Sequence, residues 1–315
     1  MRPTLPRPRH PELQMRLLRN SWLLACLLCL AISAVGQTAP APTVVRYEPC
    51  CGLLEGDVVA LRRITYSDGS QKWLTVNTST LATAIVPVSG RMPSGRDDDL
   101  VLPDGGSNYF ILMDEVARDY PRYRHGVSSY NGAGYMLTCD LCPSSKGLDR
   151  DFIEMLADKG VSPVYISVSG KWMERHAADL QWLLSLKTPR IVWVNHSLTH
   201  YYKPGALDSV NFLNRPGTDL QREILGNERL MVEKGLTPSI FFRYPGLISS
   251  PAVARAVLDC GLIPLGADAW LAKGERPDKP GSIILVHING NEPLGLKLFR
   301  EWLPTTKMTA EEFKR

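Results

Sequence analysis

From residue 135 onward the sequence alternates short apolar runs with amphipathic stretches of helical period, and that alternation confines this part of the chain to a parallel α/β sheet or barrel. The apolar runs are 135–139, 164–168, 191–194, 239–242, 262–266 and 283–286. Between them, 148–159, 172–186, 218–234 and 252–260 place apolar residues on one helical face. Gly160 and Gly235 follow two of these segments, where a glycine can stop a helix.

Charged and metal-binding side chains gather just after the predicted strands. Asp140 follows the first, His196 and His200 the third, Arg243 the fourth, Asp268 the fifth and His287 the last. In parallel α/β architectures the carboxyl ends of the strands form the rigid base on which catalytic groups are mounted. His196 and His200 are four residues apart. If the chain enters a helical turn there, their Cβ atoms lie about 5–6 Å apart and both rings can reach one cation, with zinc the first candidate. An isolated pair at this spacing is more often a strand end and a surface residue. Five strands delivering ionisable groups to one rim argue for a site.

Residues 1–36 read as a signal peptide. Arg16 and Arg19 precede the apolar run 22–31, and Ala34-Val35-Gly36 offers a small-residue cleavage site. The chain is therefore expected to be exported, periplasmic or secreted, with a membrane contact only through an uncleaved leader. The formal charge of +4 has the same origin: five Arg (2, 7, 9, 16, 19) and one Glu (12) in residues 1–36 give +4 and leave the rest neutral. No basic excess points to nucleic acid. Cys26 and Cys29 fall in the leader, so Cys50, Cys51, Cys139, Cys142 and Cys260 remain. An odd number in an oxidising compartment suggests one or two disulfides and a spare thiol. Residues 37–130 read as a β-rich accessory region, with short strands at 57–61, 63–66 and 72–76 around the turn Ser67-Asp68-Gly69-Ser70 and a patternless stretch at 89–106. Residues 131–315 form the α/β domain.

Residues 131–315 resemble the polysaccharide deacetylases with NodB homology, carbohydrate esterase family 4. His196-Ser197-Leu198-Thr199-His200 is similar to the family's H-(S/T)-x-x-H metal motif, Arg243-Tyr244-Pro245 to its R-x-P loop and Leu285-Val286-His287 to its L-x-H motif. Asp268-Ala269-Trp270 loosely resembles its Asp-Trp element. The resemblance implies a distorted (β/α) barrel and a metal-dependent hydrolase that removes N-acetyl or O-acetyl groups from a polysaccharide. It further implies a divalent ion held by His196, His200 and Asp140, with Asp140 also the catalytic base. The first motif departs from the family: T-F-D-D-G-P becomes Thr138-Cys139-Asp140-Leu141-Cys142-Pro143. The first Asp is kept, and Leu141 replaces the second, which in the family is a ligand. An isobutyl group cannot donate to a cation. Asp140 serving as third ligand, water filling the gap, or a metal-free inactive site are the three outcomes.

The implied chemistry gives each residue a task. A divalent ion polarises an acetyl carbonyl and lowers the pKa of water toward about 7. Asp140 accepts the water proton, Arg243 orients Asp140, and a backbone N–H in 243–246 supports the oxyanion. His287 protonates the departing amine, with Asp268 as its orienting partner. Tyr244, Trp270 and Tyr201 are candidates for substrate binding, Tyr202 a further one. Two other classes are open: an inactive glycan-binding homologue that lost its metal through Leu141, and an exported thiol oxidoreductase built on Cys139 and Cys142.

Overall fold

The computed structural model describes residues 41–88, 106–305, 310 and 313, and the leader read at 1–36 lies outside them. Among the described residues no helix is long and apolar enough to cross a membrane. The described residues from Thr43 onward form one compact unit.

Its first element is an antiparallel sheet of four strands in sequence order, β1 (Val44–Glu55), β2 (Val58–Tyr66), β3 (Gln71–Asn77) and β4 (Thr83–Pro87). The Ser67–Ser70 turn forms as its residues dictate: Asp68 accepts from the Ser70 N–H at 2.9 Å, and Gly69 takes φ 82°. The sequence splits β2 into two runs, whereas the structure has one strand with a register shift between Ala60 and Arg62. That irregularity turns both Leu61 and Arg62 inward. Two helices, α1 (Asn108–Arg118) and the short α2 (Tyr120–Tyr123), lead to the second sheet and have no counterpart in the sequence expectations.

The second sheet is all parallel, with seven strands in the order 269–270, 283–287, 136–141, 164–168, 191–195, 238–242 and 263–264. The elements run β5 (Met136–Leu141), α3 (Arg150–Asp158), β6 (Val164–Val168), α4 (Gly170–Arg175), α5 (Ala177–Ser185), β7 (Ile191–Asn195) and α6 (Leu220–Glu233). They continue with β8 (Pro238–Phe242), α7 (Pro251–Asp259), β9 (Ile263–Pro264), β10 (Ala269–Trp270), β11 (Ile283–His287) and α8 (Pro293–Trp302). The two edge strands belong to one stretch of chain: 263–264 pairs with β8 and 269–270 with β11. A sheet whose opposite edges are both hydrogen-bonded by the same short segment has to curl on itself, which gives the distorted (β/α) barrel. The expected strand 262–266 is thus only its first half, and the expected helix 172–186 is two helices. Its break lies at His176, which takes φ −116° and ψ 47° while its Nε2 contacts the Ser144 carbonyl at 3.0 Å.

Alternation along β5 sorts its side chains. Leu137, Cys139 and Leu141 pack outward with Phe152, Leu156 and Trp172 of the covering helices, while Met136 joins the inner cluster with Tyr165, Ile240 and Ile283. The antiparallel sheet is fastened to the barrel wall by charge as well as by apolar contact. Arg62 donates from Nε to Glu228 Oε2 on α6 at 2.8 Å and from its terminal nitrogens to the carbonyls of Leu61 and Cys260 at 2.8 and 2.6 Å. Both side chains are sealed from solvent, and the Tyr47 hydroxyl donates to the same carboxylate oxygen at 3.3 Å.

Arg62→Ala leaves the Glu228 carboxylate buried and uncompensated, and is expected to lower unfolding stability by about 3–5 kcal/mol. Urea denaturation measures this. The double apolar replacement Arg62→Met with Glu228→Leu is expected to restore most of the loss.

Candidate active site

Parallel register sets the first relationship at the rim. Asp140, at the end of β5, pairs with His287 on β11 and with Ser167 on β6. Residues paired in parallel strands project to the same side, so the carboxylate and the imidazole emerge side by side. Arg243, one residue past β8, is wholly buried and reaches across: its Nη2 donates to Thr138 Oγ1 at 2.7 Å, and its Nε lies 3.8 Å from Asp140 Oδ1.

The two histidines sit on an irregular loop rather than on a helical turn. Ser197 and His200 hold left-handed backbone, φ 64° and 45°, a strained choice for residues with a Cβ. The result brings the two rings to 4.6 Å between centroids. A buried polar framework holds the loop in that shape. Asn227 on α6 donates to Asn195 Oδ1 at 2.8 Å and to the Val168 carbonyl at 3.0 Å, and Asn195 Oδ1 also accepts the Ser197 N–H at 3.0 Å. Glu223, also on α6, accepts from the Thr199 N–H and hydroxyl at 2.9 and 2.7 Å. The first N–H groups of α4 reach the Ser197 and Leu198 carbonyls, an approach that requires Gly170, since a Cβ there would stand 2.7 Å from the Leu198 oxygen.

His196 has a fixed tautomer. Its Nδ1 donates to the Arg243 carbonyl at 2.9 Å, which turns the lone pair of Nε2 into the site. That Nε2 lies 3.6 Å from Asp140 Oδ2 and 3.4 Å from Cys142 Sγ. Among the described residues, Cys142, His196 and His200 form a set of three donors within 4.8 Å of one another. Asp140, expected as third ligand, borders this set without belonging to it. His200 Nε2 is buried and has no hydrogen-bond partner. An orphaned nitrogen beside a sulfur and a second imidazole suits a divalent cation.

Cys142 carries much of the electrostatics. Burial opposes its ionisation, but His200, His287 and His196 outweigh that and hold the thiol well below its usual pKa. His287 shows the reciprocal effect: burial favours the neutral ring, yet Cys142 and Glu292 raise its pKa well above the ordinary value. Its Nδ1 lies 2.8 Å from Glu292 Oε2, and the Trp270 indole donates to the same oxygen at 2.7 Å. The Cys142 carbonyl accepts from Asn289 at 2.7 Å, which ties this turn to the end of β11.

Several expectations are corrected. Asp268 is not the partner of His287; its carboxylate accepts from the Ile283 N–H at 2.7 Å, below the rim, because the chain bends there from β9 into β10. Glu292 takes the place assigned to Asp268. Tyr244 does not line the cleft. It follows the inward Arg243, so it turns outward and is buried with Phe242, Val253 and Val257. Trp270 lies on the cleft wall but is nearly buried, with the Lys273 ammonium 3.6 Å over its ring. Tyr201 lines the cleft with Arg215 stacked on it at 4.4 Å, and Tyr202, more than half exposed, stacks on Phe212. The expected disulfides do not form: Cys50, Cys51, Cys139, Cys142 and Cys260 are all free. Cys139 lies in the outer core, away from Cys142, so the two do not make a dithiol centre.

The cleft is about 870 Å³, and Cys142, His200, His287 and Glu292 open into it. No protein-family model matches the chain. Among solved structures its fold is similar to a family 4 carbohydrate esterase from Bacillus anthracis, at 18% identity over 65% of this chain and 89% of that one, with a TM-score of 0.46. A second similar structure is a family 4 carbohydrate esterase from Bacillus subtilis, at 17% identity over 66% and 88%, with a TM-score of 0.45. A third is a pseudoenzyme of the same family from Bacillus anthracis, at 15% identity over 57% and 63%, with a TM-score of 0.42. These likenesses concern fold alone.

Two outcomes follow from the site as built. Asn227→Ala, which strips a buried acceptor of its donor, is expected to cost about 1–3 kcal/mol in chemical denaturation. Thiol labelling of the denatured protein, read by mass spectrometry, is expected to modify Cys50, Cys51, Cys139, Cys142 and Cys260; a protected pair among them would contradict the structure.

Proposed function

We propose that this chain is an exported, metal-dependent hydrolase that removes N-acetyl or O-acetyl groups from a cell-envelope or extracellular polysaccharide. The observation that carries the reading is convergence. Asp140 from β5, His196 and His200 after β7, Arg243 after β8 and His287 from β11 meet at one end of the barrel, beside a cleft large enough for a sugar residue. The motif resemblance and the names of the similar folds point to the same reaction class, and the leader read at residues 1–36 points to export.

The chain's own groups divide the work. A bound divalent ion, with zinc the first candidate, supplies Lewis acidity toward the acyl oxygen and acidifies water. Asp140 Oδ2 faces the histidines and accepts the proton of the attacking water. Arg243, anchored on Thr138, brings its positive charge to within 3.8 Å of Asp140 Oδ1, the oxygen that does not face His196. His287 stands in register with Asp140, and against the effect of burial Cys142 and Glu292 raise its pKa, so it is placed to give a proton to the departing amine nitrogen or sugar oxygen. Glu292 occupies its Nδ1 side, which leaves Nε2 as the atom that delivers the proton. Tyr201 and the edge of Trp270 form the walls against which a glycan lies.

Acetate release from N-acetylglucosamine oligomers, measured before and after chelation, tests the proposal. Activity is expected to vanish on chelation and return with zinc, and Asp140→Asn or His287→Ala is expected to lower kcat by about 10²- to 10⁴-fold. Oligosaccharide binding with no acetate release under any metal condition would replace the hydrolase with an inactive glycan-binding protein.

A further inference from the structure

Leu141, which stands where the resembling family carries a metal-binding carboxylate, is wholly buried in the outer core against the helices. Strand alternation explains this: residues 140 and 142 share one face and 141 the other. The donor missing at 141 has a replacement one residue later on the correct side. Cys142 Sγ stands 3.4 Å from His196 Nε2, and Cys142, His196 and His200 form a mutual set within 4.8 Å. Zinc–sulfur and zinc–nitrogen bonds of about 2.3 and 2.0–2.1 Å in a tetrahedron put neighbouring donors roughly 3.4–3.6 Å apart. The sulfur and the first imidazole therefore already stand at ligand spacing.

We propose that Cys142 is the third protein ligand of this site, which makes it a two-nitrogen, one-sulfur centre that takes thiophilic ions such as Zn²⁺ or Co²⁺ in preference to Mg²⁺ or Ca²⁺. The inference rests on the metal-dependent reading above and assigns its ligand set. Three further observations support it. His196 has its Nδ1 committed to the Arg243 carbonyl, so Nε2 is the free donor. His200 Nε2 is buried beside the sulfur with nothing to bond. The Cys142 backbone is pinned through its carbonyl by Asn289, so the thiol is carried on a fixed turn. A thiolate is a soft donor, and hard oxygen-seeking cations gain little from it. With sulfur as ligand, Asp140 keeps its carboxylate for proton transfer, and the loss of an aspartate at 141 does not leave the site short of a ligand.

Cobalt substitution tests the assignment. Purified protein stripped of metal and loaded with Co²⁺ is expected to show a near-ultraviolet sulfur-to-cobalt charge-transfer band beside its visible ligand-field bands. The band is expected to be lost in Cys142→Ser and kept in Cys139→Ser. Zinc affinity of Cys142→Ser is expected to fall by at least about 100-fold, the upper end of what losing a mere supporting contact costs. X-ray absorption at the zinc edge of the unaltered protein needs no variant and is expected to find one sulfur at about 2.3 Å. Bound cobalt or zinc with no sulfur signature, or a charge-transfer band that survives in Cys142→Ser, would overturn the ligand assignment and leave the metal site standing. Failure to bind either ion would overturn both.

Discussion

The amide of Asn227 is the contact on which the rim depends. It sits on the inner side of α6 and ties together the last carbonyl of β6 and the side chain of Asn195 at the end of β7. Through Asn195 the same network reaches the Ser197 N–H, and from there the chain turns back through two left-handed residues. Within the loop the Ser197 hydroxyl accepts the His200 N–H at 3.1 Å, and the fixed origin places that turn so that the imidazoles stand 4.6 Å apart. Buried polar networks of this kind are costly when incomplete and rigid when satisfied, and rigidity is what a cation site requires of its ligands.

Charge is arranged around the loop in a consistent way. Cys142 and Asp140 bring negative charge to one point, and both His196 and His287 respond with raised proton affinity despite burial. The same negative charge that attracts protons in a bare site attracts a divalent ion. Arg243, fully enclosed, approaches Asp140 at Oδ1 while His196 faces Oδ2, so the guanidinium does not compete for the oxygen next to the histidine.

The sequence made some of this legible and hid the rest for identifiable reasons. Asp140, Arg243 and His287 could be placed because each directly follows or ends an apolar run, and strand ends of a parallel sheet share a rim. His196 and His200 were visible by spacing, but the helical turn expected between them is an irregular loop, since its geometry comes from Asn195, Glu223 and Asn227 rather than from local propensity. Cys142 is in reach of the same alternation that turns Cys139 outward, but the CxxC spacing points instead to a thiol oxidoreductase built on the two cysteines. Glu292 had no motif to mark it: it stands in the short loop between the last strand and α8, and the turn of that loop brings it back to His287. Closure of the barrel by a single stretch at 263–270, and the inward turn of Arg62 at a bulge, depend likewise on partners far away in the chain.

Asn227 and Glu228 are consecutive residues of α6, about 100° apart around its axis, and serve different neighbours, one gripping the histidine loop and the other the guanidinium of Arg62. The antiparallel sheet is therefore a strut rather than an appendage. A descendant of this chain that shed its first four strands would lose both the guanidinium that meets Glu228 and the surface that encloses it, on the same helix that grips the histidine loop.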